Sequence, residues 1–206
     1  MSLFFTLEGP DGSGKSTQIG LLANRLAESG IAYIKTREPG GTPIADQIRA
    51  VLLDPNNDRM AAKTEALLYA ASRAQHVAEV VRPALDRGQV VLCDRYIDAS
   101  LAYQATGLGL SADYVRRLSE EATDGLWPTR TYLIDVPASI GIERAALSRG
   151  IGLDRIEQRD LSYHERVREQ FLRLANEAPE RFLLLDGTQP VETVTEAIWQ
   201  DMRRFL

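Results

Sequence analysis

An α/β fold, with five parallel strands flanked by helices and a short lid, is what this sequence predicts, and three observations carry that reading. Five short apolar runs, at 3–8, 31–36, 90–93, 131–136 and 181–185, alternate with longer stretches of helical periodicity. Runs that are apolar throughout mark strands covered on both faces, as the strands of a parallel sheet are. Between the first run and the first helical stretch stands a glycine-rich turn, Gly9-Pro10-Asp11-Gly12-Ser13-Gly14, which leads a strand directly into a helix. Two glycines, Gly150 and Gly152, interrupt a charge-rich helical stretch, as hinges of a lid over about 144–158 would.

In chain order, Leu3–Leu7 is the first strand and helical patterns follow near 15–29 and 43–53. A long helix is expected near 60–87, with Leu67, Ala70, Ala71, Ala74, Val77, Ala78 and Val81 as an apolar stripe. Such a stripe packs on the core or on another subunit, and Pro83 kinks or ends the helix. Further helical patterns lie near 111–124, 138–149, 160–178 and 190–205. Crossovers between parallel strands are right-handed, and ligands of such sheets sit beyond the carboxyl ends of the strands. Those ends are Glu8–Thr17, Thr36–Thr42, Asp94–Tyr96, Asp135–Pro137 and Asp186–Gln189.

The 206 residues fit one domain, 1–206, with 44% hydrophobic residues to build its core. A net charge of −5 argues against a general nucleic-acid binder, but leaves small anions open as ligands. The single cysteine, Cys93, excludes an internal disulfide and lies in an apolar run, as a buried thiol would. No run reaches the length of a membrane span and no signal peptide is visible, so the expected compartment is the cytoplasm. His76 and His164 are read as surface or helix-side residues, with nothing pairing them as metal ligands.

The chemistry begins at Gly9-Pro10-Asp11-Gly12-Ser13-Gly14-Lys15-Ser16-Thr17, which matches G-x-x-x-x-G-K-[ST], a phosphate-binding loop. Gly12 and Gly14 let consecutive N–H groups turn inward, and the following helix aims its positive end at the same point. Lys15 supplies a mobile charge for the β and γ phosphates of a nucleotide, and Ser16 a hydroxyl for magnesium. Asp94 ends an apolar strand, where such proteins hold the metal directly or through water. Arg95 follows it, and a kinase that must grip a second, phosphorylated substrate needs such an arginine. The alternative is a surface ion pair between Asp94 and Arg95. In Arg37-Glu38-Pro39-Gly40-Gly41-Thr42 a tight loop sits at the end of the second strand, where a structural turn and a ligand loop fit equally. Tyr69 and Arg73 share a helix face and could hold a flat base; core aromatics and a surface arginine are the competing reading.

Together these motifs, with Leu68-Tyr69-Ala70-Ala71-Ser72-Arg73, Ser100…Tyr103-Gln104 and Leu153-Asp154-Arg155-Ile156-Glu157, resemble bacterial thymidylate kinases over nearly the whole chain. The resemblance implies a P-loop NTPase fold, a homodimer, Mg²⁺, and transfer of phosphate from ATP to dTMP in dTTP synthesis. It implies that residues 9–17 hold ATP with Arg144 and Gln189, and that Ser16 and Asp94 serve the metal. Asp11 is then the carboxylate for the 3′-hydroxyl of dTMP and Arg95 the grip on its phosphate. Arg73 and Gln104 would bond the thymine, Tyr69 would stack on it, and Tyr103 would crowd the 2′ position. Glu38, Pro39 and Ser100 complete that site. Arg149 resembles the lid arginine of the bacterial arrangement, in which the phosphate loop carries none; Arg155 is the alternative. Catalysis would rest on Lys15, Arg95, Arg149 and Asp94. The rivals are a kinase for another monophosphate and a guanine-nucleotide switch, and the chain contains no Asn-Lys pair of the kind a guanine motif needs.

Overall fold

The computed structural model describes residues 3–149 and 154–206; the side chains of Ser148 and Arg149 lie outside the described set. Five strands, β1 (Phe4–Glu8), β2 (Tyr33–Arg37), β3 (Val90–Asp94), β4 (Arg130–Asp135) and β5 (Phe182–Asp186), form one parallel sheet in the order β2-β3-β1-β4-β5. All five were anticipated from the apolar runs. The motif-bearing β1 is therefore central, with β3 on one side and β4 on the other.

Alternation along each strand divides its side chains between two layers. Phe5 and Leu7 of β1, with Leu92 of β3, face α1 (Lys15–Glu28) and α9 (Val191–Met202). There they meet Ile19, Leu22, Leu26, Val194, Ile198 and Met202. Phe4, Val91 and Cys93 point the other way, against Val77, Val81, Tyr96, Ile97 and Leu101, and against Phe171 of α8 (Leu161–Glu177). Between β1 and β4, the Thr6 and Thr131 hydroxyls bond each other at 2.9 Å, so these two buried hydroxyls are satisfied within the sheet. Cys93 is buried, and its thiol donates to the Arg95 carbonyl.

Where one long helix was expected near 60–87, the structure has α3 (Ala62–His76), a π-helical stretch at Val77–Val81 and α4 (Arg82–Asp86). Pro83 sits in the first turn of α4, and the wider π turn accommodates the proline's missing N–H. The face of α3 also differs from the expected stripe. Its buried residues are Glu65, Ala66, Ala70, Ser72, Arg73 and His76, while Leu67 is half exposed and Ala71 exposed. Helix α3 lies over the carboxyl ends of the strands, so its inner face meets polar loop groups rather than an apolar layer. Both histidines, expected at the surface, are inside: His76 on the inner face of α3 and His164 on α8. His76 is 0% exposed, between Glu38 and Thr36, and His164 is buried with its ring edge-on to Tyr163. Residues 97–107, for which periodicity indicated no helix, form α5 (Ile97–Ser100) and a π-helical stretch to Gly107. The remaining helices are α2 (Pro43–Leu53), α6 (Ala112–Thr123) and α7 (Ala138–Arg149). No described helix is long and apolar enough to cross a membrane.

Leu22 is wholly enclosed between β1 and α9. Leu22→Ala should cost about 2–5 kcal/mol of stability, read as a lowered urea midpoint with an unchanged slope.

Candidate active site

The carboxyl ends of β1, β2 and β3 lie level, because Leu7 and Arg37 both register with Asp94. Above them opens a cleft of about 640 Å³. Its walls include Asp11 through Gln18, Glu38, Pro39, Tyr69, Arg73, Asp94, Arg95, Ser100, Tyr103, Gln104, Arg144 and Gln189. The expected site residues thus converge on one cavity, apart from Gly9 and Pro10, whose carbonyls lie behind Lys15, and Arg149.

The phosphate loop starts with Gly9 at φ 138°, and Gly12 at φ 71° turns it back. A side chain on Gly12 would meet the Gly141 carbonyl at 2.0 Å, so the loop and the first turn of α7 touch backbone to backbone. Helix α1 begins after Gly14 with no side-chain cap, which leaves its first N–H groups facing the cleft. That is the arrangement that receives an anion. Lys15 Nζ folds over the loop and donates to Gly9 O at 3.1 Å, Pro10 O at 2.7 Å and Ser13 Oγ at 3.2 Å. Burial, and then the charge of Arg95, pull its pKa down to about 8. Ser16 Oγ donates to Asp94 at 2.7 Å, so the loop hydroxyl and the strand-end carboxylate stand side by side.

Arg95 does not pair with Asp94. Its backbone adopts φ 70°, unusual for a side-chain-bearing residue, and this sends the guanidinium back across β1. Nη1 donates to Gly9 O at 2.9 Å and Nη2 to Asp11 at 2.8 Å and the Tyr103 hydroxyl at 3.1 Å. Tyr103 in turn donates to Asp11 at 3.0 Å, and its ring lies under the guanidinium. Burial alone would raise the Asp11 carboxyl, but Arg95 and Lys15 outweigh it and hold the group at about 2.

At the other wall, Arg73 is buried at the centre of a polar network. It donates to Glu38 at 2.6 Å, Tyr96 O and Ser100 Oγ at 3.0 Å, and Ser119 Oγ at 3.3 Å. Gln104 is 1% exposed, lines the cleft, and donates to Glu65 at 3.0 Å. Arg144 donates to Gly187 O and Gln189 to Asp186, which places both beside the loop after β5. Arg155 stands apart: it bonds Glu65 at 2.8 Å and the Leu52 carbonyl, and it does not line the cleft. The Arg149 side chain and residues 150–153 lie outside the described residues.

The profile of the thymidylate kinase family matches residues 7–198. The chain belongs to the thymidylate kinase family. It is 50% identical to a thymidylate kinase of Exiguobacterium sibiricum over 98% of its own length and 95% of the relative's. Against a thymidylate kinase of Deinococcus radiodurans the identity is 52%, covering 96% and 94%. Among solved structures it resembles thymidylate kinase from Ehrlichia chaffeensis, with a TM-score of 0.78, 29% identity and 98% coverage of both chains. Family membership carries the activity: this is a nucleoside monophosphate kinase, a phosphotransferase acting on dTMP.

Motif reading missed several residues of this thymidylate kinase site. Gly141, against the loop, carried no signal because its contact is with a residue far away in sequence. Glu65 was also passed over, and Glu8, though named at the strand end, was given no role. Glu8 is the last residue of β1, fully buried, and its Oε1 accepts the Tyr96 N–H at 2.7 Å while Oε2 has no partner. Burial, and then the nearby Asp98 carboxylate, push its pKa up to about 8. The folded protein thus keeps a proton that the unfolded chain releases above its ordinary carboxylate value, so stability falls as pH rises from about 5 to about 8. In Glu8→Gln this slope disappears. The variant should gain on the wild type in urea midpoint as pH rises across that window, and a constant difference would contradict the assignment.

Proposed function

We propose that the chain transfers the γ-phosphoryl group of ATP directly to a phosphate oxygen of dTMP, giving ADP and dTDP for dTTP synthesis. One observation carries the reading: Lys15 and Arg95 donate to the same carbonyl, that of Gly9. Two cations are thereby held where the helix-lined half of the cleft meets the half lined by Arg73 and Gln104. Two anionic substrates can meet tip to tip there, with their repulsion offset.

The acceptor oxygen attacks the γ phosphorus as the bond to the ADP oxygen breaks, and the electron pair leaves with ADP. An ionised phosphate needs no strong base, so positioning and charge neutralisation supply most of the rate. Residues 9–17 cradle the ATP phosphates, with Arg144 and Gln189 at its adenine end. Arg95 grips the acceptor phosphate, Asp11 the 3′-hydroxyl, Tyr103 the 2′ edge, and Tyr69 stacks on the base beside Glu38, Pro39 and Ser100. For the base edge the hydrogen-bond inventory is informative. Four of the five N–H groups of Arg73 are committed, leaving one on Nη1 for a carbonyl.

Magnesium fits the donors present. Ser16 and Asp94 offer adjacent oxygens, and the described residues contain no cluster of three or more metal-binding side chains. Mg²⁺ suits such a site, since it takes few protein ligands and completes its shell with water and phosphate. When bound, it would neutralise charge on the β and γ phosphates. We assign residues 1–206 to one kinase domain whose lid spans 144–158 and brings Arg149 to the transferred group. A homodimer is supported by exposed apolar side chains on adjoining helices, Ile44 and Val51 of α2 and Leu67 of α3. The unpaired Cys93 suits the reducing cytoplasm.

The test is product formation from ATP with dTMP, dUMP, dCMP and AMP at equal concentration. dTMP should be the best acceptor, with dUMP weaker in kcat/KM by about 5–150-fold for its missing methyl. Equal values for dUMP and dTMP would remove the thymine assignment. Lys15→Ala should lower kcat by at least about a thousandfold while dTMP still binds. Equal loss of turnover and dTMP binding would contradict the role given to Lys15.

A further inference from the structure

Glu65 is an acidic residue with no accessible surface, yet three donors converge on it. Arg155 Nη1 lies at 2.8 Å and Arg159 Nη2 at 2.7 Å from Oε2, and Gln104 Nε2 at 3.0 Å from Oε1. Guanidinium N–H groups can only donate, so both arginines require an acceptor at Oε2. With the carboxylate pinned as an acceptor on one oxygen by two cations, the other oxygen faces the Gln104 amide.

A side-chain amide has one donating and one accepting end, and rotation by half a turn exchanges them. Against a carboxylate only the NH₂ end is favourable. The Gln104 carbonyl Oε1 is therefore the end left for the cleft, and among the described residues no donor reaches it. Arg73, with one Nη1 hydrogen uncommitted, lines the same cleft. The wall thus shows an acceptor and a donor. A base with an N–H next to a carbonyl, as thymine has at N3 and O4, matches both. Cytosine, with a ring acceptor next to an amino group, is mismatched at both.

We propose that Glu65 is a specificity-positioning residue: by accepting from Gln104 it fixes the polarity of the base site and so excludes cytosine nucleotides. This rests on the assignment of Arg73 and Gln104 to the base. The two arginines are part of the device, because both occupy Oε2 and leave Oε1 to the Gln104 amide. They come from the last residues of the lid span and the one just beyond it, so that stretch and the base-reading amide are fastened to one group.

The discriminating variant is Glu65→Gln, which keeps size but adds a donor that lets the Gln104 amide reverse. Steady-state rates with ATP are measured for dTMP and dCMP, alongside the melting temperature. The expected result is a KM for dTMP raised about tenfold, a smaller fall in kcat, and a ratio of kcat/KM for dTMP over dCMP lowered about tenfold or more. A purely structural role would lower the melting temperature and leave KM and the ratio within about twofold of wild type, which would overturn the proposal. Should Glu65→Gln not fold, Glu65→Asp keeps the charge for both arginines while drawing it back from Gln104, and the same criteria apply. Failure of the base-site reading looks different: the wild-type protein itself would then not prefer dTMP to dCMP.

Discussion

Two positive side chains sharing the Gly9 carbonyl is the constraint around which the site is built. Lys15 opens α1 and Arg95 follows β3, separated by 80 residues of chain. They meet because β1 is hydrogen-bonded to β3, and because that ladder runs past the strand end. The Arg95 N–H bonds the Leu7 carbonyl at 3.0 Å and the Tyr96 N–H bonds Glu8. These bonds hold Arg95 in its left-handed conformation, which an isolated residue of this kind would leave. Burial lowers the pKa of Lys15 first, the neighbouring charge of Arg95 lowers it further, and Asp94 and Asp11 partly offset both. Phosphates entering the cleft would complete the compensation.

Buried carboxylates organise the arginines throughout. Glu38 orients Arg73, Asp11 orients Arg95, Glu65 holds Arg155 and Arg159, and Asp98 holds Arg181 at 2.6 Å. Such pairs add little net stability once desolvation is counted. Their value is geometric, since a guanidinium bonded on several edges presents its remaining edge in one direction. An acidic chain can therefore present a basic cleft: acids behind the arginines set where the positive groups point.

The sheet was legible because each strand is buried on both faces, so its apolar run survives without help from context. The phosphate loop was legible for a similar reason, since its glycines and lysine are required locally. Residues 97–107 were not, because Tyr103 and Gln104 sit on a π-helical stretch whose wider turn breaks the usual period. The inner face of α3 was misread for a related reason. Its polar residues are satisfied by groups distant in sequence, Glu38, Thr36, Ser100 and Gln104, and apolar periodicity records none of these. For Arg73 the shared helix face with Tyr69 left a base contact and a surface arginine both open, and family resemblance favoured the first. Glu65 had no motif at all and Glu8 stood at a strand end with no assigned role, and a lone glutamate in a run or helix looks solvated until its partners are known.

The same network bears on which arginine serves the transferred phosphate. Arg155 spends Nε on the Leu52 carbonyl and Nη1 on Glu65, and is 7% exposed. Reaching the phosphates would break a buried pair and leave Glu65 with one cation and an unsettled amide neighbour, at a cost of several kcal/mol. Helix α7 is placed differently. Its first turn rests on the phosphate loop through Gly12 and Gly141, and its next turns carry Arg144 to the cleft. Anchoring Arg155 and Arg159 on Glu65 therefore argues against Arg155 as the arginine that meets the transferred phosphate.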